Sequence, residues 1–293
     1  FAIGTETWGS IICPSTYCGV SGLRPTYGRV SRRGAMALAF SMDKIGVLSR
    51  SAEDCAIVLQ HISGHDKMDP SSVPGPGYIY DPAPPRKPIR IGWLTNAWKE
   101  KDVATGVATA VKAALEVLKS SGGVIIEEAQ LPEGPWESAA GTVVSVEGAA
   151  AFENLINSGK VAELTDPLGK IGGYVNQQIP ATDYEAAIRI RGVLRKKMNS
   201  VLENFDVLVA ASLPTTATTL ETNLETDLSY ADPLGGIGNF LGLPALGVPC
   251  GFDEKKLPVG IQFVGRPLGE DLVVATARLY QQHTDWHRKR PPV

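Results

Sequence analysis

The sequence predicts an α/β protein, because stretches with the apolar spacing of β-strands alternate with stretches that have the spacing of helices. A strand over Ile89 to Leu94 is followed by a helix from about Val103 to Ser120, with Gly122 just beyond its end, and then by a short strand from Val124 to Ile126. A helical crossover of this length joins parallel strands, so these elements predict a parallel βαβ unit.

The other elements follow from turn residues and apolar periodicity. Ser51 with Asp54 three residues later has the pattern of a capping box, which predicts that a helix begins there. The proline-rich segment 66–88 predicts an extended connector. The remaining predictions are short strands and tight loops over 1–50, helices over 138–157, 183–205 and 271–282, and strands over 207–211, 245–250 and 259–264.

Composition excludes several classes of protein. Of the 293 residues 43% are hydrophobic and 20% are charged, which is not the composition of a disordered chain. The net charge of −3 argues against broad binding to nucleic-acid phosphates. No apolar run reaches the ~18 residues that a membrane helix needs. The four cysteines lack CxxC spacing, which indicates free thiols in a reducing compartment and hence a cytoplasmic location.

The common catalytic and cofactor motifs are missing or incomplete, so we predict no metal and no cofactor. His283 and His287 have a ligand-like spacing, but no HExxH glutamate accompanies them, and His61 and His65 need no function. A G-x-G-x-x-G pattern that begins at Gly236 lacks its third glycine, and no G-x-S-x-G elbow is present.

The opening of the chain contains a glycine–serine loop that suits acyl transfer. Gly9 allows the backbone to approach a ligand closely, and Ser10 directly follows it. In acyl transfer a hydroxyl attacks a carbonyl carbon while nearby backbone amides stabilise the developing oxyanion. On spacing alone, however, most glycine–serine loops are simply turns.

Five segments resemble the amidase signature family. The segment from Gly4 to Pro14 reads GTETWGSIICP and is similar to the family motif G-[ST]-D-[TSI]-G-G-S-[IV]-R-x-P. The similarity continues through CGVSGLRPTYGRVSRRGAMALAFSMDKIGVLSRSAEDCA at 18–56, where the family has CGVVGLKPTYGRVSR and SLDQIGP. It returns in IPATDYEAAIRIRGVLRK at 179–196 and FDVLVAASLPTTA at 205–217, and again in NFLGLPALGVPCGFDEKKLPVGIQFVGRP at 239–267. These segments are collinear and span nearly the whole chain.

The resemblance implies a fold and a set of site residues. The fold would be a mixed central β-sheet flanked by helices on both faces. Ser10 would be the nucleophile, and the backbone amides of Thr7, Trp8, Gly9 and Ser10 would form the oxyanion hole. The family's base is a neutral lysine that acts through a serine in a cis peptide bond, and both lie upstream of the motif.

This placement would put the lysine and the bridging serine before Phe1. Residues 1–293 would then be a partial, N-terminally truncated amidase signature domain, and we expect this chain to be inactive by itself. Lys44 stands at a variable polar position of the family, and we predict that its side chain is solvated.

Three residues depart from the family motif. Glu6 replaces the aspartate and is one methylene longer. Trp8 replaces the first glycine of the pair, so its backbone must have an ordinary negative φ, and its indole is predicted to form an apolar wall for an apolar or aryl substrate. Ile12 replaces the arginine, which weakens the case for an anionic substrate.

The predicted function is hydrolysis of a carboxylic acid amide through an acyl-enzyme on Ser10. The first alternative is the glutamine-hydrolysing subunit of an aspartyl/glutamyl-tRNA amidotransferase, in which Asp232 would bind the substrate amine and partner subunits would be required. The second is a catalytically silent binding protein with the amidase fold. The predicted partner is a small-molecule amide, with a homodimer as one option for assembly, and neither a membrane nor direct contact with nucleic acid is expected.

Overall fold

A computed structural model describes residues 1–165, 173–223 and 233–291 of the chain. The strands are β1 (Ala2–Glu6), β2 (Ser21–Arg24), β3 (Lys44–Ser49), β4 (Ile89–Leu94), β5 (Val124–Ala129), β6 (Val207–Ala211), β7 (Ala245–Phe252) and β8 (Pro258–Gly265). The helices are α1 (Ile12–Tyr17), α2 (Ala52–Ile62), α3 (Thr105–Ser120), α4 (Trp136–Ala151), α5 (Glu153–Asn157), α6 (Ala181–Leu202), α7 (Pro233–Phe240) and α8 (Glu270–Gln282).

The described strands form one mixed eight-stranded sheet in the order β1-β3-β2-β7-β8-β6-β4-β5. Strand β4 pairs in parallel with β5 and with β6, whereas the other pairs are antiparallel. Both the mixed sheet and the parallel β4–α3–β5 unit predicted from the sequence are therefore confirmed.

Helices cover both faces of the sheet. Strand β6 contributes to an apolar core on each face of the sheet. Val207 and Val209 pack into the first core, and Leu208 and Ala210 pack into the second. The first core is closed by α2, α3 and α8, and the second by α4, α6 and α7. This alternation is what a strand with two buried faces requires.

The beginning of the chain differs from the prediction. We expected only strands and loops over 1–50, but Ile12–Tyr17 forms the short helix α1. The β-branched pair Ile11 and Ile12 favours a strand by propensity. The Glu6 carboxylate outweighs that preference, because it accepts hydrogen bonds from both backbone amides of the pair.

Two other helices were predicted with different bounds. The helix predicted over 138–157 is two helices, α4 and α5, that meet at Phe152. The helix predicted over 183–205 runs from Ala181 to Leu202. In contrast, the helix start predicted at Ser51 is confirmed, because Ser51 Oγ accepts from the amide of Asp54 at 3.0 Å and α2 begins at the next residue, Ala52. The Asp54 carboxylate accepts from Ser51 Oγ at 2.8 Å, so the pair forms an N-cap without the second backbone bond of a capping box.

The proline-rich segment 66–88 contains no helix or strand and packs beside the start of the chain. Asp69 Oδ2 accepts from the Arg32 amide at 2.7 Å, and Asp66 Oδ2 accepts from Ser31 Oγ at 2.8 Å. The segment thereby forms part of the wall around the candidate site.

Candidate active site

The candidate site is built on the loop between β1 and α1, which consists of residues 7–11. Gly9 has φ +130°, a conformation that L side chains rarely adopt. Its carbonyl accepts a hydrogen bond from the Cys13 amide at 2.7 Å, which ties the loop to the first turn of α1. Trp8 is not among the non-glycine residues with positive φ, as the sequence predicted.

The buried carboxylate of Glu6 fixes the C-terminal end of this loop through hydrogen bonds to its backbone. Oε2 accepts from the amides of Ile11 at 2.8 Å and Ile12 at 3.0 Å, directly after Ser10 in the chain. Oε1 accepts from Arg24 Nη1 at 2.6 Å and from Asn239 Nδ2 at 2.8 Å. Burial opposes ionisation of Glu6, but the charge and hydrogen bonds of Arg24 and the other donors outweigh it and lower the pKa.

Ser10 is exposed and opens into a cavity of about 500 Å³. Polar side chains near the loop form one part of the lining, namely Thr5, Thr7, Ser10, Asp43 and Lys44. Carbon-rich side chains form most of the rest, namely Ala35, Met36, Ala37, Leu38, Phe40, Ile45, Met68, Pro70 and Phe152. The remaining lining residues are charged, namely Arg32, Arg33 and Asp69. We call the segment 35–40 the apolar wall.

The loop amides are available to a ligand. No described residue accepts a hydrogen bond from the backbone amides of Trp8, Gly9 or Ser10. Unpartnered amides that follow one another beside an exposed hydroxyl can stabilise an oxyanion that forms on an acyl group bound to that hydroxyl. The geometry therefore brings the predicted nucleophile and the predicted oxyanion amides together.

Lys44 corrects one expectation. Its side chain was predicted to be solvated, but it is only 2% exposed and its Nζ donates to the carbonyl of Met42. Burial, followed by the positive charge of Arg24, lowers its pKa well below the ordinary 10.5. The register of the sheet explains the burial, because Lys44 lies opposite the buried Glu6 in the β1–β3 pair.

The other predicted site residues lie in different places. The indole of Trp8 packs in the same core as Trp136. It lies close to Gly236, because a Cβ added to this glycine would be 3.0 Å from the Trp8 indole. Trp8 is not among the residues that line the cavity, so its side chain has no described contact with that space. Ile12 is buried in the same core. Asp232 lies outside the described residues.

The histidines are far from this chemistry. None of His61, His65, His283 or His287 lines the cavity. Within the described ranges, no group of three or more His, Cys, Asp or Glu side chains could hold a metal ion. The described helices also include none that is both long and apolar enough to cross a membrane.

The fold and the loop together define an α/β protein that presents a serine hydroxyl to one cavity, on a loop whose backbone amides at Trp8, Gly9 and Ser10 have no acceptor among the described residues. Comparison of the sequence with models of protein families identifies the family to which this chain belongs. The chain belongs to the amidase family, because the family model described as Amidase matches residues 1–274.

Individual relatives agree with this assignment. The chain is 36% identical over 322 residues to a glutamyl-tRNA(Gln) amidotransferase subunit from Moorella thermoacetica, covering 99% of this chain and 64% of that protein. The peptide amidase of Stenotrophomonas maltophilia superposes with a TM-score of 0.79 at 29% identity, covering 100% of this chain and 63% of that one. The same amidotransferase subunit from Thermotoga maritima gives 0.80 at 26% identity, covering 96% and 62%.

The chain thus spans somewhat less than two thirds of the length of the relatives it matches. The predicted fold family is confirmed by these comparisons.

Proposed function

We propose that the protein containing this chain hydrolyses carboxylic acid amides through an acyl-enzyme on Ser10. The observation that carries the proposal is the exposed Ser10 hydroxyl at the cavity, on a loop whose amides at Trp8, Gly9 and Ser10 have no acceptor among the described residues. A catalytically silent binding protein would have no need of this combination.

The reaction has two halves. In the first, Ser10 Oγ loses its proton and attacks the amide carbonyl carbon, and the loop amides stabilise the oxyanion of the tetrahedral intermediate. The C–N bond then breaks, and the nitrogen leaves as ammonia or an amine after it takes up a proton. In the second half, water adds to the acyl ester, the acid is released, and the Ser10 hydroxyl is restored.

The proton acceptor is part of the proposal as well. The family resemblance implies a neutral lysine acting through a serine, both outside residues 1–293. Lys44 is a buried amine at the same cavity. The family segment SLDQIGP has glutamine at this position, and because a glutamine side chain cannot act as a base, we infer that Lys44 is not the proton acceptor. We therefore propose that the acceptor is contributed from outside this chain.

The lining of the cavity supports an apolar or aryl substrate. Met36, Phe40 and Met68 expose large apolar side chains beside Ser10. Such surface gains most from contact with hydrocarbon. Arg32, Arg33 and Asp69 line the same cavity, so the lining also offers charged groups to the polar end of a substrate. The free cysteines, two of them buried, support the proposed cytosolic location.

A second candidate is favoured by the names of the sequence relatives. Eight of them, at 32–36% identity, are the same kind of glutamyl-tRNA(Gln) amidotransferase subunit. In this candidate the amide would be that of glutamine, and the ammonia would pass to a partner subunit. Ile12, which stands where the family motif has arginine, and the apolar wall argue against it.

Ammonia release distinguishes the two candidates. The protein at its natural length is assayed with benzamide, hexanamide and glutamine, each with Ser10→Ala as the matched control. Turnover of the apolar amides that disappears in Ser10→Ala supports the proposal. Turnover of glutamine alone, particularly if it rises when an amidotransferase partner is added, supports the second candidate instead.

A further inference from the structure

The oxyanion loop and the apolar wall are joined by the side chain of Asp43. Its Oδ1 accepts a hydrogen bond from Thr7 Oγ1 at 2.6 Å, on the loop that carries the candidate oxyanion amides. Its Oδ2 accepts from the amides of Leu38 at 2.8 Å and Ala39 at 3.0 Å, in the apolar wall. The Asp43 side chain is nearly buried, so water competes little for these bonds.

Other side chains hold the far end of the wall without reaching the loop. Tyr27 Oη and Arg32 Nη1 both donate to the Phe40 carbonyl. Glu147 Oε2 accepts from the Ser41 amide at 2.8 Å. Among the described residues, Asp43 is the one whose side chain bonds to both the wall and the loop.

The wall itself is placed to contact a substrate. Met36 is 83% exposed, Phe40 54% and Leu38 43%, and all three line the cavity that contains Ser10. A substrate that covers these side chains would favour one position of the wall, because their burial is worth about 25 cal/mol per Å². A change in the position of the wall would move the amides of Leu38 and Ala39, and with them the Asp43 carboxylate that accepts from both.

We propose that Asp43 is a positioning residue that couples occupancy of the apolar wall to the geometry of the oxyanion loop. The proposal rests on the proposed function and adds to it a substrate class, namely amides with an apolar group long enough to cover the wall. Binding energy gained at the wall would then appear partly in kcat and not only in KM.

The coupling predicts a dependence of kcat on chain length. Primary amides of straight-chain acids, from acetamide to octanamide, are compared in the natural-length protein. We expect kcat to rise roughly tenfold or more along the series, since wall contacts improve the alignment of the oxyanion amides. Equal kcat values with falling KM would overturn the coupling, because the wall would then contribute binding alone.

Variants separate a positioning role from a structural one. Thr7→Val removes the hydroxyl that bonds Asp43 but leaves every contact between Asp43 and the wall. We expect it to lower kcat for octanamide by roughly tenfold, with little change in KM, and to remove the chain-length dependence.

Glu147→Ala is the matched control, because it removes the acceptor of the Ser41 amide, one residue beyond the wall, and Glu147 has no bond to the loop. We expect it to raise KM and to leave kcat and its chain-length dependence in place. If Ser10→Ala abolishes turnover while Thr7→Val keeps the dependence of kcat on chain length, the coupling is wrong and the proposed function stands. If Ser10→Ala leaves turnover intact, the proposed function fails.

Discussion

Glu6 and Arg24 form a buried ion pair beneath the Ser10 loop, with Oε1 2.6 Å from Nη1 and side-chain exposures of 0% and 1%. The same carboxylate accepts the amides of Ile11 and Ile12. One carboxylate therefore pairs with the cation of Arg24 on β2 and fixes the backbone that immediately follows the candidate nucleophile. Stability and the geometry of the site depend on the same group.

Replacing Glu6 by glutamine should destabilise the protein and impair the site together. The neutral amide leaves the Arg24 guanidinium buried without its counter-ion, and breaking such a pair costs about 3–5 kcal/mol. Urea unfolding followed by circular dichroism measures the change. Glu116→Gln is the control, because Glu116 pairs with Lys119 on the surface of α3 and should change stability little. Equal effects of the two substitutions would contradict this role of the buried pair.

Replacing Gly9 by alanine should lower kcat more than it lowers stability. An alanine is strained at φ +130°, and relief of that strain would turn the neighbouring amides away from the oxyanion position. We expect kcat to fall by about 10²-fold or more, the scale of losing an oxyanion donor. Gly141→Ala in α4 is the control, since its added methyl meets no atom within 4 Å. Unchanged kcat in Gly9→Ala would refute the loop's role.

Replacing Lys44 by glutamine should change the pH dependence of stability. The pKa of Lys44 is lowered by burial, so between that pKa and the ordinary 10.5 the unfolded chain binds more protons than the folded one. Stability should therefore rise with pH across this interval in the parent protein, and less so in the variant. Thermal melting at a series of alkaline pH values measures both slopes, and identical slopes would mean that Lys44 titrates normally in the folded chain.

The same variant tests the proton acceptor. Because we propose an acceptor outside this chain, kcat of the natural-length Lys44→Gln protein should stay within about tenfold of the parent. A loss of several orders of magnitude, at a pH where the variant is folded, would identify Lys44 as the acceptor instead.

Replacing all four histidines should leave catalysis nearly intact. His61 bonds to a carbonyl of its own helix α2, His283 directly after α8 bonds to a carbonyl of that helix, and neither of the other two lines the cavity. Substitution of His61, His65, His283 and His287 by glutamine should keep kcat within about tenfold, since no proton transfer in the proposed mechanism involves an imidazole. A loss of several orders of magnitude from any single replacement would be incompatible with it.

Periodic and local patterns were sufficient to predict most of the fold. The β4–α3–β5 unit and the cap at Ser51 each depend on residues close together in the chain, and both are present. The helix α1 was missed because its formation depends on Glu6, whose hydrogen bonds override the strand propensity of Ile11 and Ile12. Propensity alone contains no information about such a contact.

The candidate site was predicted only in part for the same reason. The motif located Ser10 and the loop amides, since they are adjacent in the chain. The burial of Lys44 and the bond from Thr7 to Asp43 depend on the register of β1 against β3, which pairs Glu6 with Lys44. Single-sequence patterns do not specify which strands pair, so these features became visible only in the folded chain.

Covalent labelling of Ser10 tests the central claim most directly. The natural-length protein is treated with a fluorophosphonate, which reacts with an activated serine, and the digested peptides are sequenced by mass spectrometry. We expect a phosphonyl group on Ser10, protection by a substrate amide, and loss of labelling in Ser10→Ala. Labelling of Ser15 or Ser21 with Ser10 unmodified would contradict the assignment of Ser10 as the nucleophile.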